Sequence, residues 1–345
     1  MHSEQPTQLN LPDLFALCPF TWSSPSPYYS SKRRDSTEWI LGYLGSLFPD
    51  DNELGMKQLR ERMYASSAEL LGSYVNPYAD AEGLRISNDF HMILFVLDEI
   101  TDVQDAESAA KTREVFVKAL TGGCGDDESP VTSFTKDYMN RLSNISEAVR
   151  ERFISHCISY IDATATEARL RADNEVLSIE EYTKLRRENG GVRTCFDLIE
   201  AVLGITLPAE VFDDPNFMRI YFAAVDMICW SNDIYSYPIE YAQGLETCNV
   251  ITVLMKEKNL SVQGAMDHVA ELFKDFADTM ISCKQNIRSF GEDEDRSVQA
   301  YIYGMEQWVC GNLTWSFDCA RYFGEKNEEV KKTGVVELVK RQDAM

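Results

Sequence analysis

The 345-residue sequence lacks the features that mark membrane-spanning, secreted and zinc-binding proteins. No apolar run approaches the roughly 18 residues that a bilayer-spanning helix requires, so membrane insertion is not expected. The start, MHSEQPTQLNLPD, has no basic segment followed by an apolar stretch, and a signal peptide is therefore not predicted. The nine cysteines include no CxxC pair. This scatter fits neither a zinc site nor a disulfide framework and favours a reducing cytoplasm.

Positive charge is also scarce. Lys and Arg together number 33, against 56 Asp and Glu, which gives a formal net charge of -23. Nucleic acid is excluded as an expected partner, because its binding depends on a positive protein surface. A small anionic substrate remains possible only if something cationic brings it to the protein. Metal ions are the obvious candidates.

The chain divides by composition into a short arm and one long domain. Five of the eleven prolines lie in the first 27 residues, and we predict an irregular N-terminal arm over residues 1–35. Over residues 36–345 the apolar spacing is helical, with no convincing strand, so a single all-α domain is expected. Breaks are predicted at residues 121–130, at Gly190-Gly191, at Gly244 and at an acidic connection over residues 290–295.

The first candidate site is the motif DExxD at residues 98–102. It follows a stretch that is apolar nearly all round, as in a helix buried inside a bundle. Asp98 and Asp102 share a helix face at i and i+4. Two carboxylates near a helix C-terminus are unfavourable, and a bound cation would relieve that penalty. Taken by itself, this motif could also be a solvated acidic helix end without a metal ion.

The second candidate site follows another long apolar segment. Asn232, Ser236 and Glu240 stand at i, i+4 and i+8, which places three oxygen donors on one helix face. Amide, hydroxyl and carboxylate oxygens are hard ligands of the kind that Mg²⁺ accepts beside phosphate and water. This spacing after an apolar helix predicts a second metal-binding motif.

Together these motifs resemble the two metal motifs of class I terpene synthases, and of fungal sesquiterpene cyclases in particular. Two further features fit the resemblance. Arg186 lies 46 residues before Asn232, where the family carries a diphosphate-sensing arginine, and Arg321-Tyr322 matches the family's C-terminal Arg-Tyr pair. The resemblance covers about residues 36–324 and implies a single-domain helical barrel.

The resemblance also implies roles for residues. Asp98 and Asp102 would bind Mg²⁺ in the first motif, and Asn232, Ser236 and Glu240 in the second, with three ions in all. Arg186, Arg321 and Tyr322 would bind the diphosphate, and these residues with Asp98 are the expected catalytic set. The substrate pocket would include Phe95, Trp315 and Trp308, each of which could instead be ordinary core. Gly190 matches the helix break where the family's backbone approaches the substrate.

Some positions depart from the family pattern. Glu99 replaces the second aspartate and points about 100° away from Asp98 on a helix, so it is not expected to be a main ligand. Asn189 stands where many relatives have an aspartate that links the sensing arginine to the helix break. Pro238 lies within the second motif and is expected to kink its helix. His91 is interpreted as a core histidine with satisfied hydrogen bonds.

The expected function is Mg²⁺-dependent cyclisation of farnesyl diphosphate to a sesquiterpene, in a cytoplasmic monomer or homodimer. Ring closure between carbons 1 and 11, as in a Δ6-protoilludene synthase, is the suggested mode. One rival is a chain-elongating prenyl transferase, a class that carries two aspartate-rich motifs where this chain has only one. The other is a non-enzymatic helical interaction protein, for which the acidic motifs would be solvated faces.

Overall fold

The computed structural model describes residues 7–45, 53–101, 104, 106–123, 125 and 127–339. Asp102 lies outside these residues. Helices dominate the described chain, which confirms the all-α prediction. They are α1 Leu14–Leu17, α2 Tyr29–Lys32, α3 Asp35–Leu44, α4 Glu53–Ser66, α5 Ala68–Val75, α6 Ala81–Thr101, α7 Ala106–Leu120, α8 Pro130–Arg141, α9 Glu147–Ala172, α10 Ile179–Asn189, α11 Val192–Leu203, α12 Ala209–Phe212, α13 Pro215–Gln243, α14 Val250–Lys258, α15 Val262–Lys284, α16 Glu292–Asp318 and α17 Asn327–Thr333.

The long helices begin at start signals in the local sequence. The residues before α9, α10 and α15 are Ser146, Ser178 and Ser261, and each serine side chain accepts a backbone N–H of the first turn. The signal before α10 is a complete capping box. Asp214 caps α13 in the same way, and a proline occupies the first turn, where no backbone donor is lost.

The predicted breaks are largely confirmed. Gly191 separates α10 from α11 with φ of 67°, and Gly244 ends α13 with φ of 76°, a left-handed conformation that favours glycine. The acidic connection predicted at residues 290–295 is wrong in part, because α16 begins at Glu292. Four acidic side chains at residues 292–295 form its first turn, where the helix dipole favours negative charge.

Two short strands were not expected from the sequence. β1, Gln8–Asn10, pairs antiparallel with β2, Val335–Glu337, and Leu9 lies opposite Val336. Residues 7–34 otherwise contain only the four-residue helices α1 and α2. The buried side chains of Leu9 and Leu14 attach this segment to the core.

The core surrounds α13. This helix packs against α15 and α16, and side chains such as Ile220, Ala224 and Met227 are completely buried along it. α6 is the second inner helix, since its residues 87–93 are all buried; within the predicted apolar stretch 90–97, only Leu94 and Phe95 are partly exposed. Among the described helices, none combines the length and apolar character needed to cross a bilayer. Both predicted motifs lie in the C-terminal parts of these two buried helices, α6 and α13.

Candidate active site

The first motif lies where α6 leaves the interior. Leu97 is fully buried, whereas the side chain of Asp98, in the last turn, is 45% exposed. The Asp98 carboxylate faces the guanidinium of Arg321, with 3.9 Å between Oδ2 and Nη2. Glu99 turns to a different partner and pairs with Arg62 at 3.0 Å. The two neighbouring acids thus point to different surroundings, as the helical geometry predicted.

The second motif lies along one face of α13, which is continuous through Pro238. Asn232 is near Arg186, and its Oδ1 accepts a hydrogen bond from Nη2 at 2.7 Å. Further along, the Ser236 hydroxyl donates to the backbone oxygen of Asp233 at 3.5 Å. Glu240 accepts a hydrogen bond from Asn249 at 3.0 Å. The helix therefore presents amide, hydroxyl and carboxylate oxygens in a row.

Arg186 is fixed by a buried carboxylate. Its Nε donates to Oδ1 of Asp233 at 2.9 Å, and Asp233 is 2% exposed. Tyr182 donates its hydroxyl to the other carboxylate oxygen, which also accepts the backbone N–H of Val250 at 3.1 Å. Charge-assisted hydrogen bonds of this kind fix both distance and orientation. The guanidinium is thereby held beside Asn232.

A chain of contacts joins the two motifs. Asn232 donates through Nδ2 to the hydroxyl of Tyr322 at 2.5 Å, while its oxygen accepts from Arg186. Tyr322 is adjacent in sequence to Arg321, which pairs with Asp98. Burial raises the pKa of Tyr322 to about 12, so its hydroxyl is neutral at pH 7 and can donate a hydrogen bond. The structure thus brings together five residues from four distant places in the sequence.

Glu240 has the electrostatic character expected of a cation ligand. Burial raises the pKa of its carboxyl to about 7, and the nearby Asp233 carboxylate adds to the shift. Ser236 and Asn249 oppose the shift through hydrogen bonds but do not cancel it. A carboxylate that is costly to ionise gains most from a bound cation. The donor set on α13 therefore fits a hard divalent metal ion.

The carboxylates alone do not form a metal cluster. Within the part of the chain that the structure describes, no group of three His, Cys, Asp or Glu side chains converges on one point. Amide and hydroxyl oxygens make up the rest of the set on α13, and Asp102 of the first motif lies outside the described residues. The chemistry of the set, with several neutral oxygens, fits a hard metal ion whose remaining ligands come from other groups.

Aromatic rings lie directly inside the charged residues. The guanidinium of Arg321 stands 4.8 Å from the ring centroid of Phe95, and Phe95 is 6.2 Å from Trp315. Trp315 packs edge-on against Tyr322 at 5.7 Å. Trp308 lies further along α16 and is 4% exposed. These contacts place Phe95 and Trp315 next to the polar set, whereas Trp308 is buried deeper, against His91 and Phe196.

Gly190 lies where α10 meets α13. A Cβ atom at this position would come within 2.6 Å of the Cys229 sulfur and 3.0 Å of the Arg186 carbonyl oxygen. Only glycine allows the end of α10 to approach α13 this closely. Asn189, just before it, accepts from Arg186 at 3.3 Å and donates to Glu167 at 2.6 Å. An asparagine thus links the arginine to the helix break where an aspartate was expected.

Two important residues had no predicted role. Asp233 was part of the second motif in the sequence, but its position about 100° from Asn232 gave no sign that it would hold Arg186. Asn249 comes from beyond a turn, and its Nδ2 bridges Glu240 and the backbone oxygen of Asp233 at 3.0 and 2.9 Å. Asparagine before a helix is an N-cap signal, and Asn249 is also the N-cap of α14. No sequence pattern indicated its second contact.

A surface depression of about 500 Å³ lies elsewhere, where the end of α16 meets α17. Its lining is largely charged and polar, and it contains none of the predicted site residues. The lining residues are Phe317, Asp318, Asn327, Glu328, Lys331 and Lys332. An apolar substrate chain has no complementary surface there, so the convergent residues between α6, α13 and α16 remain the candidate site.

Comparisons with known proteins identify the family. The family model "Terpene synthase family 2, C-terminal metal binding" matches residues 89–278, which is more than half of the chain. A protein of Coprinopsis cinerea named linoleate 10R-lipoxygenase COP4 is 40% identical over 96% of this chain and 93% of its own length. Bifunctional terpene synthase Agr4 of Cyclocybe aegerita is 37% identical over 99% and 96%. Several other fungal relatives are named sesquiterpene synthases.

Solved structures share the fold. Linalool/nerolidol synthase from Streptomyces clavuligerus, in complex with 2-fluorogeranyl diphosphate, superposes with a TM-score of 0.76 over 88% of this chain and 99% of that one, at 20% identity. The solved structures show the fold, and the family model and the terpene synthase relatives show the family. The chain belongs to the class I terpene synthase family, as a metal-binding lyase that carries out terpene cyclisation.

Proposed function

We propose that this chain cyclises farnesyl diphosphate to a sesquiterpene in a Mg²⁺-dependent reaction. The observation that carries the proposal is the series of contacts from Asp98 through Arg321 and Tyr322 to Asn232 and Arg186. A diphosphate group needs both cations and hydrogen-bond donors around it, and this series supplies the donors between two sets of metal ligands. The sesquiterpene synthase names of several relatives support a fifteen-carbon substrate.

The proposed reaction begins with cleavage of the allylic C–O bond. The bonding electron pair leaves with the diphosphate, and a carbocation remains on the prenyl chain. Arg186, Arg321 and Tyr322 donate hydrogen bonds to the oxygens on which negative charge develops, and arginine matches phosphate geometry well. Mg²⁺, when held by Asp98 and by Asn232, Ser236 and Glu240, supplies positive charge that stabilises the same oxygens. Three ions are proposed by resemblance to the family.

The aromatic residues act on the carbocation. Phe95 and Trp315 lie immediately inside Arg321, and their ring faces can stabilise a cationic carbon while excluding water. Trp308 extends this lining along α16, and the backbone near Gly190 borders the diphosphate side. Ring closure between carbons 1 and 11 toward a hydrocarbon such as Δ6-protoilludene is the product proposal, supported by resemblance to fungal cyclases. A cytoplasmic monomer or homodimer is proposed as the working form.

Two variants distinguish residues that bind the diphosphate from residues that shape the product. Arg321→Ala removes charge-assisted hydrogen bonds worth about 1.5–3 kcal/mol each, so diphosphate release should slow by about tenfold or more with little change in products. Trp315→Ala should leave much of the release rate but increase acyclic or prematurely quenched products. Gas chromatography–mass spectrometry and a diphosphate assay measure both effects. Scrambled products at a normal rate in Arg321→Ala would contradict these roles.

Added isopentenyl diphosphate tests the rival enzyme class. A cyclase turns farnesyl diphosphate alone into a volatile product and ignores the second substrate. A chain-elongating transferase needs isopentenyl diphosphate and yields a longer diphosphate. A non-enzymatic interaction protein consumes neither compound. The same assay with geranylgeranyl diphosphate tests the proposed chain length.

A further inference from the structure

The face of α6 that carries Asp98 continues deep into the protein. Phe95, His91 and Asn88 precede Asp98 by 3, 7 and 10 residues, which is the spacing of a single helix face. Exposure falls from 45% for the Asp98 side chain to 2% for both His91 and Asn88. This face therefore runs from the diphosphate-binding end of the site to its interior end.

Rings of α6 and α16 meet at two levels along this face. At the outer level Phe95 contacts Trp315, at 6.2 Å between ring centroids. At the inner level His91 packs edge-on against Trp308, with 5.3 Å between centroids and an interplanar angle of 83°. Trp308 and Trp315 are seven residues apart and share a face of α16. The imidazole thus belongs to the same aromatic lining as the proposed pocket residues, one level deeper.

His91 is a core residue, as expected, but its hydrogen bonds are not satisfied. Neither ring nitrogen makes a hydrogen bond of normal geometry with a described residue, although the Ala68 backbone interacts weakly with the ring. Burial lowers the pKa of the ring to about 4, more than the backbone of Ala68 raises it, so the ring is neutral at pH 7. Either tautomer of a neutral imidazole carries one free lone pair. Buried polar groups without partners are uncommon in native proteins and indicate a ligand, water or chemical role.

The surroundings of the ring are also polar and unpartnered. Oδ1 of Asn88 and Nε1 of Trp308 have no hydrogen-bond partner within the described ranges. A Cβ atom at Gly72 of α5 would lie 1.8 Å from Oδ1 of Asn88 and 3.3 Å from Nδ1 of His91. Only glycine at this position leaves room for the asparagine and the imidazole. A small polar group, made of the Asn88 amide, the His91 ring and the Trp308 N–H, therefore lies at the inner level of the aromatic lining.

We propose that His91 accepts the proton that ends the carbocation reaction. This inference rests on the proposed function. In the step, a C–H bond next to the cationic carbon breaks, its electron pair forms the C=C bond of the product, and the proton moves to the free ring nitrogen. The imidazolium later returns the proton to solvent when product leaves. Atoms and charge balance without any further reactant.

The neutral state of the ring suits this step. A protonated ring would repel a carbocation, whereas a neutral one does not. Hydrogens next to a cationic carbon are very strong acids, so even a weakly basic imidazole takes one readily. Because the buried imidazolium is itself a good acid, it does not hold the proton after turnover. His91 lies one level deeper in the aromatic lining than Phe95 and Trp315, away from the diphosphate-binding residues, and so would determine which hydrogen is lost.

Full-length His91→Phe and His91→Met test the proposal with farnesyl diphosphate and Mg²⁺. His91→Phe can keep the edge-on ring contact with Trp308. If that variant does not fold, the product profile of His91→Met provides the test. The matched control is Met92→Leu, because Met92 is also fully buried on α6 but contacts Thr37 of α3 through its sulfur at 3.7 Å. Diphosphate release, product profile and melting temperature are measured for each protein.

We expect diphosphate release within about threefold of wild type, but a fall of at least about tenfold in the main wild-type olefin, since a general base contributes large factors. Olefins of the same carbon skeleton with a displaced double bond, or alcohols of that skeleton, should replace it. Met92→Leu should keep the wild-type profile. An unchanged profile in the His91 variants, a new carbon skeleton, or a wild-type product that is itself an alcohol would overturn the proposal. If instead the proposed function is wrong, the wild-type protein itself releases no diphosphate, so the two failures can be told apart.

Discussion

Asp233→Asn tests how the structure positions Arg186. The substitution removes the buried charge that pairs with Nε of Arg186 at 2.9 Å. It also turns an amide donor toward the backbone N–H of Val250 or the guanidinium, so one buried donor loses its acceptor. Breaking a buried pair costs about 3–5 kcal/mol, and we expect the free energy of unfolding to fall by about that amount. Loss of one well-placed arginine contact to diphosphate should lower kcat/KM at least about tenfold.

Asp226→Asn is the matched control. Asp226 is equally buried on α13 and accepts two hydrogen bonds from Arg187, at 2.8 and 2.6 Å, but none from the described residues of either motif. Urea denaturation should give a similar loss of stability in both variants. Diphosphate release by the folded Asp226→Asn protein should stay within about threefold of wild type. Equal losses of activity in the two variants would refute the positioning role of Asp233.

Three further predictions concern metal, ligands and pH. Removal of divalent metal with EDTA should abolish product formation, and excess Mg²⁺ should restore it; turnover in EDTA would refute metal dependence. Asp98→Asn and Asn232→Ala should each abolish turnover while helical circular dichroism persists, because both side chains lie outside the apolar core. Burial lowers the His91 pKa from 6.5 to about 4, so the unfolded chain binds this proton more readily than the folded one. Stability should therefore fall as pH drops from 6.5 to 4, by about 3 kcal/mol from this group, and His91→Phe should show a smaller fall in urea titrations.

Local sequence was sufficient to predict the ends of the two inner helices. The apolar surroundings of α6 and the regular spacing on α13 follow from helix periodicity, so the positions of Asp98, Asn232, Ser236 and Glu240 could be predicted. The contact between Arg186 and Asn232 was not predicted, because family resemblance gave Arg186 only a diphosphate-binding role. No local pattern relates residues on two separate helices.

The parts that the sequence did not predict depend on contacts across the fold. β1 and β2 have three residues each and pair across almost the whole chain, so neither has enough length to show alternation. Asn249 reaches Glu240 only because the turn after α13 brings α14 back against it. His91 looked like any buried histidine, because missing hydrogen bonds become visible only when its neighbours are known. The acidic residues in the first turn of α16 were interpreted as a solvated connection, although acidic residues also favour a helix start.

We propose that the residues between α6, α13 and α16 ionise a prenyl diphosphate and direct the resulting carbocation to a sesquiterpene. The most direct test of this proposal follows farnesyl diphosphate with Mg²⁺ and quantifies released diphosphate and fifteen-carbon products in the same time course. We predict equal molar amounts of the two throughout, with cyclic products predominating. No release of diphosphate, or a product that still carries it, would contradict the account.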